Sequence, residues 1–316
     1  METLMVKQAK RHNIGAAVAK LLGGRADTKK CAEVIATSLE ADGDALGAAV
    51  IREAATTAPL SYQQINGTPG PVDWLMPRDL AEEFVIDAMT GATLNRLVAE
   101  LREAPRFLRA GIDAPTRVLF DGPSGTGKTL AARWIGGCLG LPVAVVRIDR
   151  VIESYMGASA SNIAKAIDAS SKVPSILFLD EIDGMSAQRG GGGGDAVGQE
   201  SSRITSSLLQ QLDLLPPEQI VIAATNFPSA LDGALLRRLH ARVTFGLPDR
   251  EARAEMVRRW WSRVRWDDDA AQVLVSGSEG LSGASVRAWA MAAARAGLLT
   301  GTTIRAEHVT ATTGAR

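Results

Sequence analysis

Four short apolar runs punctuate the middle of the chain: Val118-Leu119-Phe120, Val143-Ala144-Val145-Val146, Ile176-Leu177-Phe178-Leu179 and Ile220-Val221-Ile222-Ala223. None of them alternates with polar residues. A half-buried strand would show a period of two, so uninterrupted runs suit strands covered by helices on both faces. Helix-like segments separate the runs, and this alternation predicts an α/β domain over 80–247. Beyond Pro248 helical spacing takes over, at 251–261, at 285–298 and briefly near Glu307, predicting a smaller helical domain over 248–316. Towards the other end Val6, Ile14 and Val18 recur at helical spacing, as do Val34, Ile35 and Leu39, and then Leu46 and Val50. Gly23-Gly24 and Asp42-Gly43 read as helix ends and turns. Residues 1–58 therefore read as a short helical module, and the Pro- and Gly-rich 59–79 as a linker.

Composition narrows the class. Hydrophobic residues make up 46% and charged residues 22% of 316, a globular balance that excludes a disordered chain. Lys+Arg and Asp+Glu are equal at 35 each, so no global basic field recruits nucleic acid; only a local patch would. Cys31 and Cys138 lie far apart and match no metal-ligand spacing, which suits a reduced, cytoplasmic protein. No stretch approaches the roughly 18 uninterrupted apolar residues of a membrane helix, and the charged start from Met1 to Arg11 lacks the apolar core of a signal peptide. The expectation is a cytoplasmic protein with no membrane partner.

The chemistry follows the strands. Directly after the first run comes Gly122-Pro123-Ser124-Gly125-Thr126-Gly127-Lys128-Thr129, which fits the phosphate-loop pattern at every required position. Its glycines let the backbone turn so that successive N–H groups point at phosphate oxygens, at a helix N-terminus where negative charge is favoured. Lys128 is spaced to reach the β- and γ-phosphates, and the Thr129 hydroxyl to ligand Mg²⁺. A glycine-rich turn opening a helix is the bland alternative, and the lysine at the required position argues against it.

The third run ends in Asp180-Glu181, at the carboxyl end of a strand, where α/β sheets bind ligands. Asp180 would hold the Mg²⁺ and Glu181 would orient the attacking water, since phosphoryl transfer asks for positioning and charge stabilisation. A solvated strand end is the alternative for the pair alone. Asn226, closing Ala223-Ala224-Thr225-Asn226, is a candidate contact to both the γ-phosphate and the lytic water, although Asn there is also a common turn former. Arg237-Arg238 follow Leu231-Asp232-Gly233-Ala234-Leu235-Leu236. They are either solvated charges at a helix end or arginine fingers. Lying past the Asn, they are expected at a subunit edge, acting on a neighbour's ATP.

These four elements, in this order, resemble the classical AAA ATPases of the AAA+ superfamily over about 80–298. GPSGTGKT is similar to the Walker A motif, ILFLDEID to Walker B, AATN to sensor 1 and LDGALLRRL to the second region of homology with its finger arginines. The compact double-arginine form of LLRRLHARVTFGLPD lacks the Pro-Gly insertion of many relatives. In this it is similar to bacterial AAA proteins with a short helical N-domain, often encoded beside subtilisin-like proteases.

The resemblance implies a P-loop NTPase parallel sheet with flanking helices, a helical lid, ATP and Mg²⁺ as cofactors, and a homo-oligomeric, hexameric ring. It also implies that Tyr155-Met156-Gly157 form a central-pore loop that grips a protein substrate; core packing is the alternative for a Tyr-Met pair beside glycine. Gln188-Arg189 and the five glycines from Gly190 to Gly194 would take the place of a second pore loop. Gly280-Leu281-Ser282-Gly283-Ala284 resembles the signature that opens the lid helix, with Ser285 where the family usually has Asp. Ala284 stands where other branches place a sensing arginine, and Arg287, one turn along, is not given that role.

The function expected is ATP hydrolysis coupled to remodelling, unfolding or threading of a protein through the pore. Two alternatives stay open: an ATP-dependent switch that recruits a partner such as a protease, and a nucleic-acid-associated ATPase, which would call for basic pore residues and salt-sensitive binding. The adenine pocket is not assigned, and a helical segment near Leu80 to Ile86 is the place to look for it.

Overall fold

The structure, a computed structural model, describes residues 72–77, 84–148, 159–171, 173–184, 195–260, 264–301 and 303–315, together with Glu33, Ala36 and Thr37. The chain divides into two compact units, Met1–Pro69 and Gly70–Arg316. In the first unit only those three helical residues are described, so the reading of 1–58 lies outside the described residues.

All four apolar runs are strands. β2 (Arg117–Asp121), β3 (Val143–Arg147), β4 (Ile176–Asp180), β5 (Ile220–Thr225) and β6 (Ala241–Thr244) pair in parallel. With β1 (Asp73–Leu75) the sheet runs β1-β3-β4-β5-β2-β6. β1 pairs antiparallel with β3, inside the stretch that composition assigned to a linker. Three residues are too few to carry a period; what makes them a strand is the unpaired edge of β3, which they cover.

The lack of polar alternation has the expected cause. Val118 and Phe120 of β2, Ile176 and Phe178 of β4, and Ile220 and Ile222 of β5 face one core. Their neighbours Leu119, Leu177, Leu179 and Val221 face the other. The first core is closed by α1 (Ala88–Arg102) and α3 (Lys128–Leu139), through Leu94, Leu97 and Ile135 among others. A short α2 (Ala104–Arg109) follows α1. The second core is closed by α4 (Ser159–Ser171), α5 (Asp195–Leu214) and α6 (Gly233–Arg238), through Ile163, Ile167, Ile204, Leu208 and Leu235. Phe178 is fully buried, and truncating such a residue to Ala costs about 3–5 kcal/mol, so the sheet is the rigid frame of the site.

Past Pro248 come α7 (Arg250–Trp260), α8 (Asp268–Gly277), α9 (Gly283–Thr300) and α10 (Ala306–Ala311), with a two-stranded parallel pair of β7 (Arg265–Trp266) and β8 (Thr303–Ile304). They pack around Trp289, whose indole N–H donates to the Val309 carbonyl at 3.1 Å. Buried Arg253 on α7 ties this core to its entry, donating to the carbonyls of Val275 (3.1 Å) and Pro248 (2.9 Å). α8 is not singled out by sequence spacing.

Candidate functional site

The strand order makes one crevice. From β2 the chain crosses to β3 on one side, and from β5 it crosses to β6 on the other, so β5 and β2 flank a switch point. The phosphate-loop residues leave the carboxyl end of β2 there, Asn226 follows β5, and Asp180-Glu181 end β4. The structure brings these three sequence elements together.

Lys128 is their hub. It is 8% exposed, and its ammonium donates to the carbonyls of Gly122 (2.7 Å) and Pro123 (2.9 Å) and to Asn226 Oδ1 (2.7 Å). Burial pushes its pKa below the ordinary lysine value, opposed by the carboxylates of Asp180, Asp183, Asp121 and Glu181. The Thr129 hydroxyl donates to Asp180 Oδ2 at 3.1 Å, and the Glu181 backbone N–H to Asp180 Oδ1 at 3.1 Å. Asp180 is raised above the ordinary carboxylate value, chiefly by burial; the Thr129 hydrogen bond, Arg147, the Glu181 N–H and Lys128 oppose the rise. Arg147 is the register partner of Asp180 on β3. Glu181 has an exposed side chain and sits at φ +56°, the left-handed region that non-glycine residues seldom adopt. That turn lifts the glutamate out of the strand at the crevice.

Close packing dictates the loop glycines. Gly122 has φ +142°, and a Cβ there would stand 2.1 Å from the Phe245 carbonyl oxygen. Gly125 has φ +75°, and a Cβ there would meet Ser282 Oγ at 2.7 Å and Ala284 Cβ at 2.9 Å. The second clash marks where α9 docks on the loop: the Ala284 N–H donates to the Gly125 carbonyl at 3.0 Å.

A cavity of about 310 Å³ opens over these groups. Ser124 to Leu130, Asp180, Glu181 and Asn226 form its floor. Phe84 and Val85, with Met256 and Trp260 of α7 and Arg287 of α9, line it as well. Residues 84–87 are not helical, which corrects the expectation for that segment; Phe84 is held by its ring contact with Trp134 of α3 at 5.3 Å. A lining that combines apolar and aromatic side chains with phosphate-loop and carboxylate groups suits a ligand that carries both a flat ring and an anion.

Two supports were missed by sequence reasoning. Asp183 Oδ1 accepts from the Thr225 hydroxyl (2.8 Å) and the Asn226 N–H (3.1 Å), fixing the end of β5. Buried Asp121 accepts from Arg242 Nε (2.7 Å), Arg242 Nη2 (3.0 Å) and the Thr244 hydroxyl (3.1 Å), locking β6 to the root of the phosphate loop. Asp183 lies inside the ILFLDEID string and was within reach of a reading that asked what holds Asn226. Nothing local marks Arg242 or Trp260.

The arginine pair stands elsewhere. α6 begins at an Asp232 cap, whose Oδ1 accepts the Ala234 N–H at 2.7 Å, and Leu235 is buried beneath it. The chain then enters β6, whose first residue pairs with Val118 near the start of β2. Arg237 is exposed and makes no hydrogen bond or ion pair among the described residues. Arg238 grips Asp213 of α5 with two bonds of 2.7 Å, and its Nη1 donates to the Ala234 carbonyl at 3.0 Å. This pairing lowers the pKa of Asp213 and raises that of Arg238. Arg117, the first residue of β2, donates to the carbonyls of Leu212, Leu215 and Pro216, so the pair lies at the amino end of a strand about 15 Å long. The phosphate loop is at the other end. Tyr155-Met156-Gly157 and Gln188 to Gly194 lie outside the described residues.

A parallel α/β sheet with a phosphate loop at its switch point, two carboxylates on the next-but-one strand and a helical lid over the opening defines a P-loop nucleotide-binding domain. Residues 118–247 match the family described as ATPase family associated with various cellular activities (AAA). The chain carries an AAA ATPase domain. It is similar to the "Uncharacterized AAA family ATPase y4kL" of Sinorhizobium fredii, 36% identical over 56% of this chain and 53% of that one. It is also similar to "ATP-dependent zinc metalloprotease FtsH 4" of Sphaerobacter thermophilus, 38% identical over 62% of this chain and 30% of that one. The chain thus spans about half of the first relative and about a third of the second. Among solved structures, "Crystal structure of FIGL-1 AAA domain" superposes with a TM-score of 0.62 at 22% identity, covering 76% of this chain and 85% of that one, a likeness of fold. Among the described residues no helix is long and apolar enough to cross a membrane, and no group of three or more His, Cys, Asp or Glu could hold a metal ion.

Proposed function

We propose that this chain is an oligomeric ATP-hydrolysing motor whose catalytic pocket is completed by a neighbouring copy, and whose hydrolysis cycle remodels a protein substrate. One observation carries the reading. The groups suited to cradle a triphosphate are gathered at the carboxyl ends of the strands, while the exposed Arg237 sits at the amino ends, about the length of β2 away. No rotamer spans that gap, so an arginine finger from this segment serves another copy's nucleotide.

Within the pocket, Lys128 and the loop N–H groups bind the phosphates, and Asn226, already within 2.7 Å of Lys128, contacts the γ-phosphate and the lytic water. The Thr129 hydroxyl and Asp180 carboxylate, hard oxygen donors 3.1 Å apart, fit the Mg²⁺ that accompanies ATP. Held there, the ion would supply positive charge to offset that of the phosphates. Glu181 orients and polarises the water. The aromatic and apolar wall of Phe84, Val85, Met256 and Trp260 takes the base. Coupling to a protein substrate rests on the sequence alone, through the pore-loop resemblance of Tyr155-Met156-Gly157, and on the relatives' names.

Mixing tests the shared pocket. Arg237→Ala keeps its own pocket intact, and Glu181→Gln keeps its arginines; each alone should be nearly inactive. Mixed rings contain interfaces that join an intact Glu181 to an intact Arg237, so combined samples should recover a measurable fraction of ATPase. A mixture no more active than its parts, or wild type at full rate as a monomer, overturns the shared site. For threading, Tyr155→Ala should stop unfolding of a tagged model substrate while ATPase survives, and persistent unfolding would remove that part of the reading.

A further inference from the structure

Burial lowers the pKa of Lys128, and the carboxylates of Asp180, Asp183, Asp121 and Glu181 oppose it. Three of these have a use at the crevice: Asp180 and Glu181 line the cavity, and Asp183 fixes Asn226. Asp121 has no such part. It is 4% exposed and stands one residue before Gly122, at the root of the phosphate loop. A buried negative charge there works against the anion that the loop receives, unless another group offsets it.

The offsetting group comes from the sheet edge. β6 is the edge strand beside β2, with Thr244 in register with Asp121. Arg242 is two residues before Thr244, so both side chains share one face of β6. Arg242 closes on the carboxylate with two bonds, Nε to Oδ1 at 2.7 Å and Nη2 to Oδ2 at 3.0 Å. The Thr244 hydroxyl adds a third at 3.1 Å. The fork of a guanidinium fits a carboxylate in this two-bond geometry. The arginine side chain is 55% exposed, so it reaches in from the surface to a partner that is buried. The backbone continues the link to the loop. The Phe245 N–H donates to the Asp121 carbonyl at 2.7 Å, and the next carbonyl, that of Gly122, accepts from Lys128 at 2.7 Å.

We infer that Arg242 is a positioning residue for nucleotide binding, which neutralises Asp121 beneath the phosphate loop and so leaves the charge of Lys128 for phosphate. Neither Arg242 nor Asp121 lines the cavity, so the arginine acts through its partner and not by contact with the ligand. This rests on the reading of the cavity as a nucleotide site. Because the effect is one of charge, it falls on ligands that carry phosphate and spares a bare nucleoside.

Calorimetric titration of the full-length protein with ADP and with adenosine tests it. Residues in one ion-pair network couple by amounts that reach about tenfold in an equilibrium constant. Arg242→Gln should weaken ADP by about that factor and move adenosine by less than about twofold. Arg242→Lys, which keeps the charge, should hold ADP within about threefold of wild type. Adding Asp121→Asn to Arg242→Gln removes the stranded carboxylate and should restore most of the ADP affinity. A pair that merely held β6 in place would give no such rescue, since the double variant has lost both ends of the bridge. The inference is overturned, with the nucleotide site left standing, if Arg242→Gln binds ADP as wild type does or loses adenosine in proportion. A double variant as weak as the single one overturns it too. A wild type that binds no ADP overturns the nucleotide site and this inference with it.

Discussion

The two ends of β2 carry cations in opposite conditions. At the carboxyl end Lys128 is 8% exposed and directs its donors at two carbonyls and an amide of its own chain. At the amino end Arg237 is exposed with no partner among the described residues, while its neighbour Arg238 is clamped to Asp213. One end is organised before any ligand arrives, so its cost of ordering is met by folding. The other is held ready at a surface. On the proposed reading, a site divided in this way is active only where two copies meet, because the strand holds its two ends apart.

The sharpest way to break that contrast is to remove Arg237. Arg237→Ala should lower ATP turnover on the order of 10³-fold, the usual weight of an arginine finger, with ADP affinity within about twofold of wild type. Loss of affinity in parallel with turnover would place the arginine in its own chain's pocket. A smaller effect is expected from Asp213→Asn, which loosens Arg238 without deleting it. Turnover should fall several-fold, less than for Arg237→Ala, in a steady-state ATPase assay at saturating ATP. Equal losses from the two variants would mean that the arginines act as one unit rather than as one exposed and one clamped residue.

The smallest effect is in pH. Asp180 is raised by burial, and Lys128 is lowered by it. On the proposed reading, a Mg²⁺–nucleotide complex would need the carboxylate ionised and the ammonium charged. Affinity should therefore fall on the acid side as pH drops through the value of Asp180, above the ordinary carboxylate range. On the alkaline side it should fall below the pH at which an ordinary lysine titrates. For the ligand-free fold the signs reverse. The raised Asp180 contributes stability below the ordinary carboxylate pKa and loses it as pH rises through the folded value. The depressed Lys128 contributes stability above the ordinary lysine pKa and loses it as pH falls through the folded value. Titrating Mg²⁺–ATP affinity against pH checks this, and an acid limb unchanged in Asp180→Asn would assign it to another group.

Much of the carboxyl-end site could be read from the chain because its parts are contiguous. The phosphate loop is eight consecutive residues, and the acid pair closes an apolar run whose lack of alternation already reported burial on both faces. The amino-end pair was legible as two arginines, but not as one exposed and one clamped, since Asp213 lies 25 positions away on another helix. The lid wall was illegible for the same reason at longer range: Met256, Trp260 and Arg287 become part of the cavity only because α9 docks on Gly125. Likewise Asp121 and Arg242 meet across 121 positions.

By itself the sequence determined the strands that build the frame, the loop that receives phosphate and the carboxylates beside it, since each is written in short-range pattern and local backbone chemistry. Tertiary structure alone decided the edge strand at Asp73–Leu75, the cavity's lid wall and which of the two arginines is clamped. These depend on strand order and helix docking, and such long-range contacts leave no periodic trace in the residues that make them.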